Sequence, residues 1–172
     1  MHPILRLETR DMGSYAPIMS ESVVERFYTG FAACDAEAMA AEYAPDVTFE
    51  DPVFGVLHGA DAADMWRMLC AAASDLEVEH RIVRADEREA EVDWTARYTF
   101  SATGRPVVNR VRSRLRFEGG SIVDHRDSFS MWRWSSQALG PVGRVLGWSP
   151  LIRTKVRSNA RRGLDAYRRS GA

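Results

Sequence analysis

Apolar residues recur at helical spacing from Val23 onward (Val23, Val24, Phe27, Phe31), which predicts a first helix over residues 21–34 with Ser20 available as its N-cap. Asp35 is placed to cap a second, shorter helix that runs to Tyr43 and is ended by Pro45. The run Val47-Thr-Phe-Glu reads as a short strand closed by Asp51-Pro52. After a Gly-bearing loop, Asp61 opens a third helix whose stripe includes Met65, Trp66, Leu69 and Cys70. From Leu76 the period changes to two. Four strands follow, at 76–84, 89–100, 106–117 and 121–132, with turn residues at Asp86-Glu87, Thr103-Gly104 and Gly119-Gly120, the pattern of an antiparallel meander.

Parity along these strands sorts the side chains. Arg110, Arg112, Arg114 and Arg116 alternate with Val111, Ser113, Leu115 and Phe117, which assigns the arginines to the outer face and Asn109 to the inner one. On the second strand Val92, Trp94, Ala96, Tyr98 and Phe100 fall inside, while Glu91, Asp93 and Arg97 face the arginine ladder as cross-strand partners. On the last strand Val123, Phe129 and Met131 share parity with His125 and Asp127, so an imidazole and a carboxylate point the same way as the core. By the same rule His80 lies inside with Leu76, Val78 and Ile82. Polar groups on an inner face need partners or water, and a pocket supplies both.

Beyond Trp134 the pattern changes again, to a turn-rich apolar stretch over residues 138–150 and then a basic helix with Ile152, Val156, Ala160, Leu164 and Tyr167 on one face. A basic amphipathic helix can lie on an anionic membrane or touch nucleic acid. The commoner use is local, and packing against the body or a dimer mate is favoured here over membrane contact. In that arrangement Leu146 and Trp148 would close the open end of the domain. The expected organisation is a flexible lead-in over 1–20, one α+β domain over 21–134 and a basic helical extension over 135–172.

Charge and composition narrow the classes. From Arg133 onward nine Lys/Arg stand against one acid, Asp165, so this end carries +8 and the rest −9 within a total of −1. No strong global field calls for nucleic acid. At 172 residues and 45% apolar content the chain can bury a core without staples. Cys34 and Cys70 sit in apolar helical stretches without zinc spacing, and no HxH, HxxxH or HExxH pattern points to a metal. No phosphate loop or dinucleotide fingerprint implies a cofactor. No apolar run approaches a membrane span and the N-terminus lacks a signal-peptide layout, so a cytoplasmic location is expected.

Helix, helix, short strand, helix and a long meander resembles the nuclear transport factor two-like superfamily, which includes ketosteroid isomerases, SnoaL-like polyketide cyclases and limonene epoxide hydrolases. The resemblance spans residues 20–134 and implies a cone-shaped, antiparallel curved sheet wrapped around three N-terminal helices, with a central pocket for a small apolar or carbonyl-containing ligand and a homodimer through the outer sheet face. Val47-Thr-Phe-Glu-Asp-Pro-Val-Phe-Gly is similar to the isomerase stretch that presents a catalytic aspartate before a proline, which implies Asp51 as a general base. The isomerase oxyanion hole is not reproduced, because Phe27 falls at its tyrosine position and Ser113 at its aspartic acid position. Tyr28 is adjacent, but one residue on a helix turns about 100° and is expected to face elsewhere. His125-Arg126-Asp127 resembles what cyclases and epoxide hydrolases carry on the last strand, with Asp127 in acid-base work and His125 as its proton partner. Glu91-Val92-Asp93 lacks the arginine of the hydrolase dyad.

These readings predict a catalytic set of Asp127, His125 and Asp51, lined by Asn109, Phe27, Trp94, Phe129, Trp66 and His80. Each has a plainer alternative. Asp51 can simply cap a turn, a His125–Asp127 bond can hold the last strand to a helix, His80 can be structural, and Asn109 can bond a loop. The function expected is acid-base catalysis of the isomerase, cyclase or hydrolase type, steroid isomerisation itself being disfavoured. The rival is a non-catalytic ligand-binding module of the same fold.

Overall fold

The computed structural model of the chain describes residues 18–171. The lead-in expected over 1–20 lies outside the described residues up to residue 17. Three helices, α1 (Met19–Ala32), α2 (Ala36–Ala41) and α3 (Ala60–Ala72), precede most of the sheet, with a hairpin of β1 (Tyr43–Asp51) and β2 (Gly55–His58) between α2 and α3. The meander follows as β3 (Glu77–Ala85), β4 (Glu89–Phe100), β5 (Arg105–Glu118) and β6 (Ser121–Ser128), and the chain ends in α4 (Met131–Ala138), α5 (Pro141–Leu146) and α6 (Pro150–Ser170). One curved sheet results, in the order β2-β1-β6-β5-β4-β3. This is the α+β architecture the patterning predicts, with the helices on the concave side. β1 joins β6 in parallel, so the sheet as a whole is mixed.

Local chemistry explains most element ends. Asp35 caps α2 by accepting the Ala38 N–H at 3.0 Å. Ser20 is not the cap of α1. The helix begins at Met19, and Ser20 is buried in its first turn with its hydroxyl on the Asp86 carbonyl. The β5–β6 hairpin turns on Gly119 and Gly120, both at positive φ, where a side chain would be strained. The Arg110 to Arg116 ladder does face outward. Arg112 meets Asp93 at 2.7 Å and Arg114 meets Glu91 at 3.2 Å across β4 and β5.

Three further expectations need correction. β6 carries a bulge at Val123, since Arg116 pairs with Asp124 but Phe117 with Ile122, so Ile122 rather than Val123 is fully buried while His125 keeps its inward position. The last strand stops at Ser128, and Met131 belongs to α4, which Ser130 caps through the Arg133 N–H at 3.3 Å. Finally, Leu146 and Trp148 close nothing and are exposed. α4 takes that place, packing Met131, Trp134 and Ala138 on Val107, Tyr98 and Phe100.

α6 packs on the body as its apolar stripe requires. Leu164 enters the main core, and Arg168 pairs with Asp61 and Asp64 of α3. Arg161 donates to the carbonyls of Phe54 and Val56, which ties the helix to the β1–β2 hairpin.

Candidate active site

The concave side of the sheet is filled by rings. Phe27 touches Tyr28, Tyr43, Trp66 and His125 at centroid separations of 5.3 to 5.7 Å, and Phe49 closes on Trp66 and His125. A cleft of about 270 Å³ opens between the β1–β2 hairpin, the end of β6 and α6, lined by Glu50, Asp51, Pro52, Arg126, Asp127, Ser128, Phe129 and Arg157.

Asp127 is the meeting point of two hydrogen-bond arms, each with a tryptophan at its far end. An indole N–H can only donate. Trp66 donates to the Tyr43 hydroxyl at 2.8 Å, Tyr43 meets His125 Nδ1 at 2.8 Å, and His125 Nε2 meets Asp127 Oδ1 at 3.0 Å; in the neutral tautomer that carries its proton on Nε2, facing the carboxylate, Tyr43 is the donor to Nδ1. In the second arm Ser113 Oγ receives both the Trp94 indole at 2.8 Å and the Tyr28 hydroxyl at 2.7 Å, which leaves its own proton for the same Asp127 oxygen. Burial first, and the Asp127 charge after it, hold the Tyr28 hydroxyl well above the usual tyrosine range; burial does the same at Tyr43. Both therefore stay O–H donors. Oδ2 of Asp127 accepts no hydrogen bond among the described residues, which leaves it to the cleft.

Asp51 lines the same cleft at the tip of β1. It closes the Asp51-Pro52-Val53-Phe54 turn by accepting the Phe54 N–H, so the turn-capping role and the cleft position coexist. Burial pushes its carboxyl up to about 7, with the Asp127 charge adding to the rise and the turn N–H groups opposing it. A raised carboxylate destabilises the fold once ionised. Between the ordinary carboxylate range and about 7 the folded chain holds a proton that the unfolded chain has released, so stability falls as pH rises through that window and is level above it. Allowing for solvent that reaches the carboxyl from the cleft, we expect a loss of about 2 kcal/mol over this window in denaturant titrations, absent in Asp51→Asn. The same slope in both proteins would remove Asp51 as its source.

The other expected site residues divide by position. Phe129 lines the cleft with Asp51 and Asp127. His125 is fully buried and stands behind Asp127, not in the cleft. Phe27, Trp66 and Trp94 are buried and reach the acids only through the ring cluster and the two arms. His80 stacks on Tyr28 at 5.1 Å and meets Glu25 at 3.1 Å, away from the cleft, and Asn109 lies half-buried on β5 without lining it. Tyr28 does not face away as one-residue rotation suggests. α1 is buried on adjacent sides, with Phe27 and Tyr28 both inside. Tyr28, Tyr43 and Arg157 were not expected at the site, and Ser113 was expected only as a missing donor. A wider hollow of about 390 Å³ beside Cys34, Cys70, Arg67 and Tyr167 lacks such chemistry, because burial pushes the Cys70 thiol up to about 12 and Arg67 is held by Glu37 and Asp64.

A profile of the SnoaL-like domain matches residues 24–125, well over half of the chain. The chain belongs to the SnoaL-like domain family. Structures similar to this SnoaL-like chain include a proposed polyketide cyclase from Xanthomonas campestris, 16% identical over 70% of this chain and 96% of that one, with a TM-score of 0.61. A protein with a ketosteroid isomerase-like fold from Catenulispora acidiphila, in complex with trimethylamine, is 18% identical over 74% and 97% of the two chains, with a TM-score of 0.60. An LEH-like epoxide hydrolase of M. tuberculosis is 21% identical over 74% and 93%, with a TM-score of 0.56. These likenesses are of fold. No curated protein matches the chain significantly. The SnoaL-like match stops at His125, two residues before Asp127, and leaves out α6 with Arg157.

Proposed function

We propose that this SnoaL-like chain is an acid-base enzyme of the isomerase, cyclase or hydrolase type, acting on a small, largely apolar molecule that carries a carbonyl or a strained ring. The observation that carries the reading is the shared cleft of Asp51 and Asp127, in which one carboxyl is raised to about 7 and the other has both arms of donors on a single oxygen. Two carboxyls held in different environments are suited to give and take protons within one turnover. In this scheme Asp127 Oδ2 takes a proton from the substrate or from water. His125 and Ser113 hold the carboxylate in place. Asp51, half-protonated near neutral pH, delivers a proton on the other side. Arg157 makes no ion pair among the described residues and lines the cleft, so its guanidinium is available to a developing oxyanion. That would replace the donors whose absence disfavours steroid isomerisation. Phe129 supplies apolar surface for the ligand.

No cofactor or metal is part of the scheme. A homodimer across the outer sheet face belongs to the same reading, its alternating Arg and acidic ladder being self-complementary in charge. So does a cytoplasmic location, which fits two free thiols. No helix among the described residues is long and apolar enough to cross a membrane.

The test is a panel of small cyclic ketones, enones and epoxides, followed by NMR in deuterated water for exchange, rearrangement or hydrolysis. Turnover of at least one compound class, with a pH profile that breaks near 7, is expected from the Asp51 carboxyl. Saturable binding of panel members with no turnover of any would favour the binding module instead.

A further inference from the structure

The short helix α5 is built inside out. Gly143 and Gly147 face the protein, and a Cβ on Gly143 would run into the Ser135 carbonyl oxygen of α4, while one on Gly147 would stand 2.8 Å from the Ser135 side chain. Backbone presses on backbone there, which only glycine permits. The contact turns the large residues of α5 the other way. Val142, Val145 and Leu146 are 56%, 67% and 45% exposed, and the chain adds Trp148 at 66% and Leu151 at 81%, with Trp132 of α4 beside them at 46%. Six of the ten exposed large apolar side chains among the described residues fall in this one corner, so it is a patch and not scatter.

Both tryptophans have already used their only polar atom. Trp132 donates to the Arg144 carbonyl at 3.1 Å and Trp148 to the Val145 carbonyl at 3.0 Å. The rings are pinned against α5, and moving them into an apolar phase breaks no hydrogen bond to water. The same corner carries Arg133, Arg144, Arg153 and Lys155, all exposed and without an ion pair among the described residues, whereas Arg112 and Arg114 of β5 meet Asp93 and Glu91. No acid occurs in residues 133–155.

We propose that the α4–α5–α6 corner docks on an anionic membrane surface. Val145, Leu146, Trp148 and Leu151 enter the headgroup region, and Arg144, Arg153 and Lys155 meet lipid phosphates and carboxylates. This surface is separate from the α6 stripe, which is used in packing, and from the acid-base cleft. A second copy fits worse. A symmetric pairing through the patch would set the same cations against each other with no acid to receive them.

The test is flotation of the full chain with vesicles of phosphatidylcholine alone or with about 30% phosphatidylglycerol, at low and high salt. Binding to the anionic vesicles is expected to be at least about tenfold tighter, to weaken as salt rises, and to shift tryptophan emission to the blue. Trp148→Ser with Leu151→Ser, and separately Arg144→Glu with Arg153→Glu, should each weaken binding by about tenfold or more, with melting temperature unchanged because all four side chains are exposed. Absent binding by the wild type, binding indifferent to lipid charge and salt, or unchanged binding by both variants would overturn the proposal. So would a fall in sedimentation mass from dimer to monomer on Trp148→Ser with Leu151→Ser, which would give the patch to a second copy.

Discussion

Asp127→Asn is expected to lower turnover of a responsive substrate by roughly a hundredfold to ten-thousandfold, while its Kd changes by less than about tenfold. The split follows from the way the side chain is held. An asparagine oxygen can still accept from Ser113 and from His125 Nε2, so both arms of the network persist. The other terminal atom, on the cleft side, becomes an amide nitrogen that cannot take up a proton. Ligand contacts with Phe129, Pro52 and Arg157 are untouched, so ground-state binding survives while the transition state loses its base. Calorimetric Kd values beside single-turnover rates would measure the two halves separately. Turnover equal to wild type would end the catalytic role of Asp127, and a parallel collapse of binding and rate would make it a ligand-orienting group.

How far such a site can be read from sequence depends on whether regular periodicity holds at each residue. It holds along β4 and β5, where Trp94, Leu115 and Phe117 are buried and the four arginines exposed as strict alternation requires. It holds at His125 and Asp127 despite the bulge, because the bulge lies on the other side of Asp124. It fails at Ile122 and Val123, two β-branched residues that either parity would accept, since only the pairing with Phe117 decides between them. It fails again at Met131, because Ser128-Phe-Ser-Met131 alternates like a strand. The helical signal there was the Ser130 cap together with Met131, Trp134 and Ala138 at helical spacing. Tyr28 was misplaced for a different reason: a helix packed on adjacent sides buries two neighbouring positions, and a single-face rule discards one of them. Arg157 carried no local signal. Its place in the cleft comes from the clamp of Arg161 on the hairpin carbonyls and from Gly55, whose missing side chain lets the Arg157 guanidinium lie against the turn. Contacts between segments this far apart in the chain leave no periodicity to read.

Ser113 offers the largest stability effect for the smallest change. Its alanine variant removes one oxygen from a fully buried site and leaves little cavity, so packing alone would predict almost nothing. That oxygen nevertheless serves three partners, accepting from Tyr28 and Trp94 and donating to Asp127. Without it the Tyr28 hydroxyl and the Trp94 indole are buried donors with no acceptor, and Asp127 keeps one donor on Oδ1 instead of two. Each orphaned group costs about 1 to 3 kcal/mol, so Ser113→Ala should destabilise the chain by about 3 to 5 kcal/mol in urea titrations. A double-mutant cycle separates this from loss of packing. Tyr28→Phe removes the first orphan, so Ser113→Ala introduced into Tyr28→Phe should cost about 1 to 2 kcal/mol less than in the wild type. Strict additivity of the two substitutions, or a cost of Ser113→Ala below about 1 kcal/mol, would show that the second arm does not bind α1 and β4 to the Asp127 carboxylate.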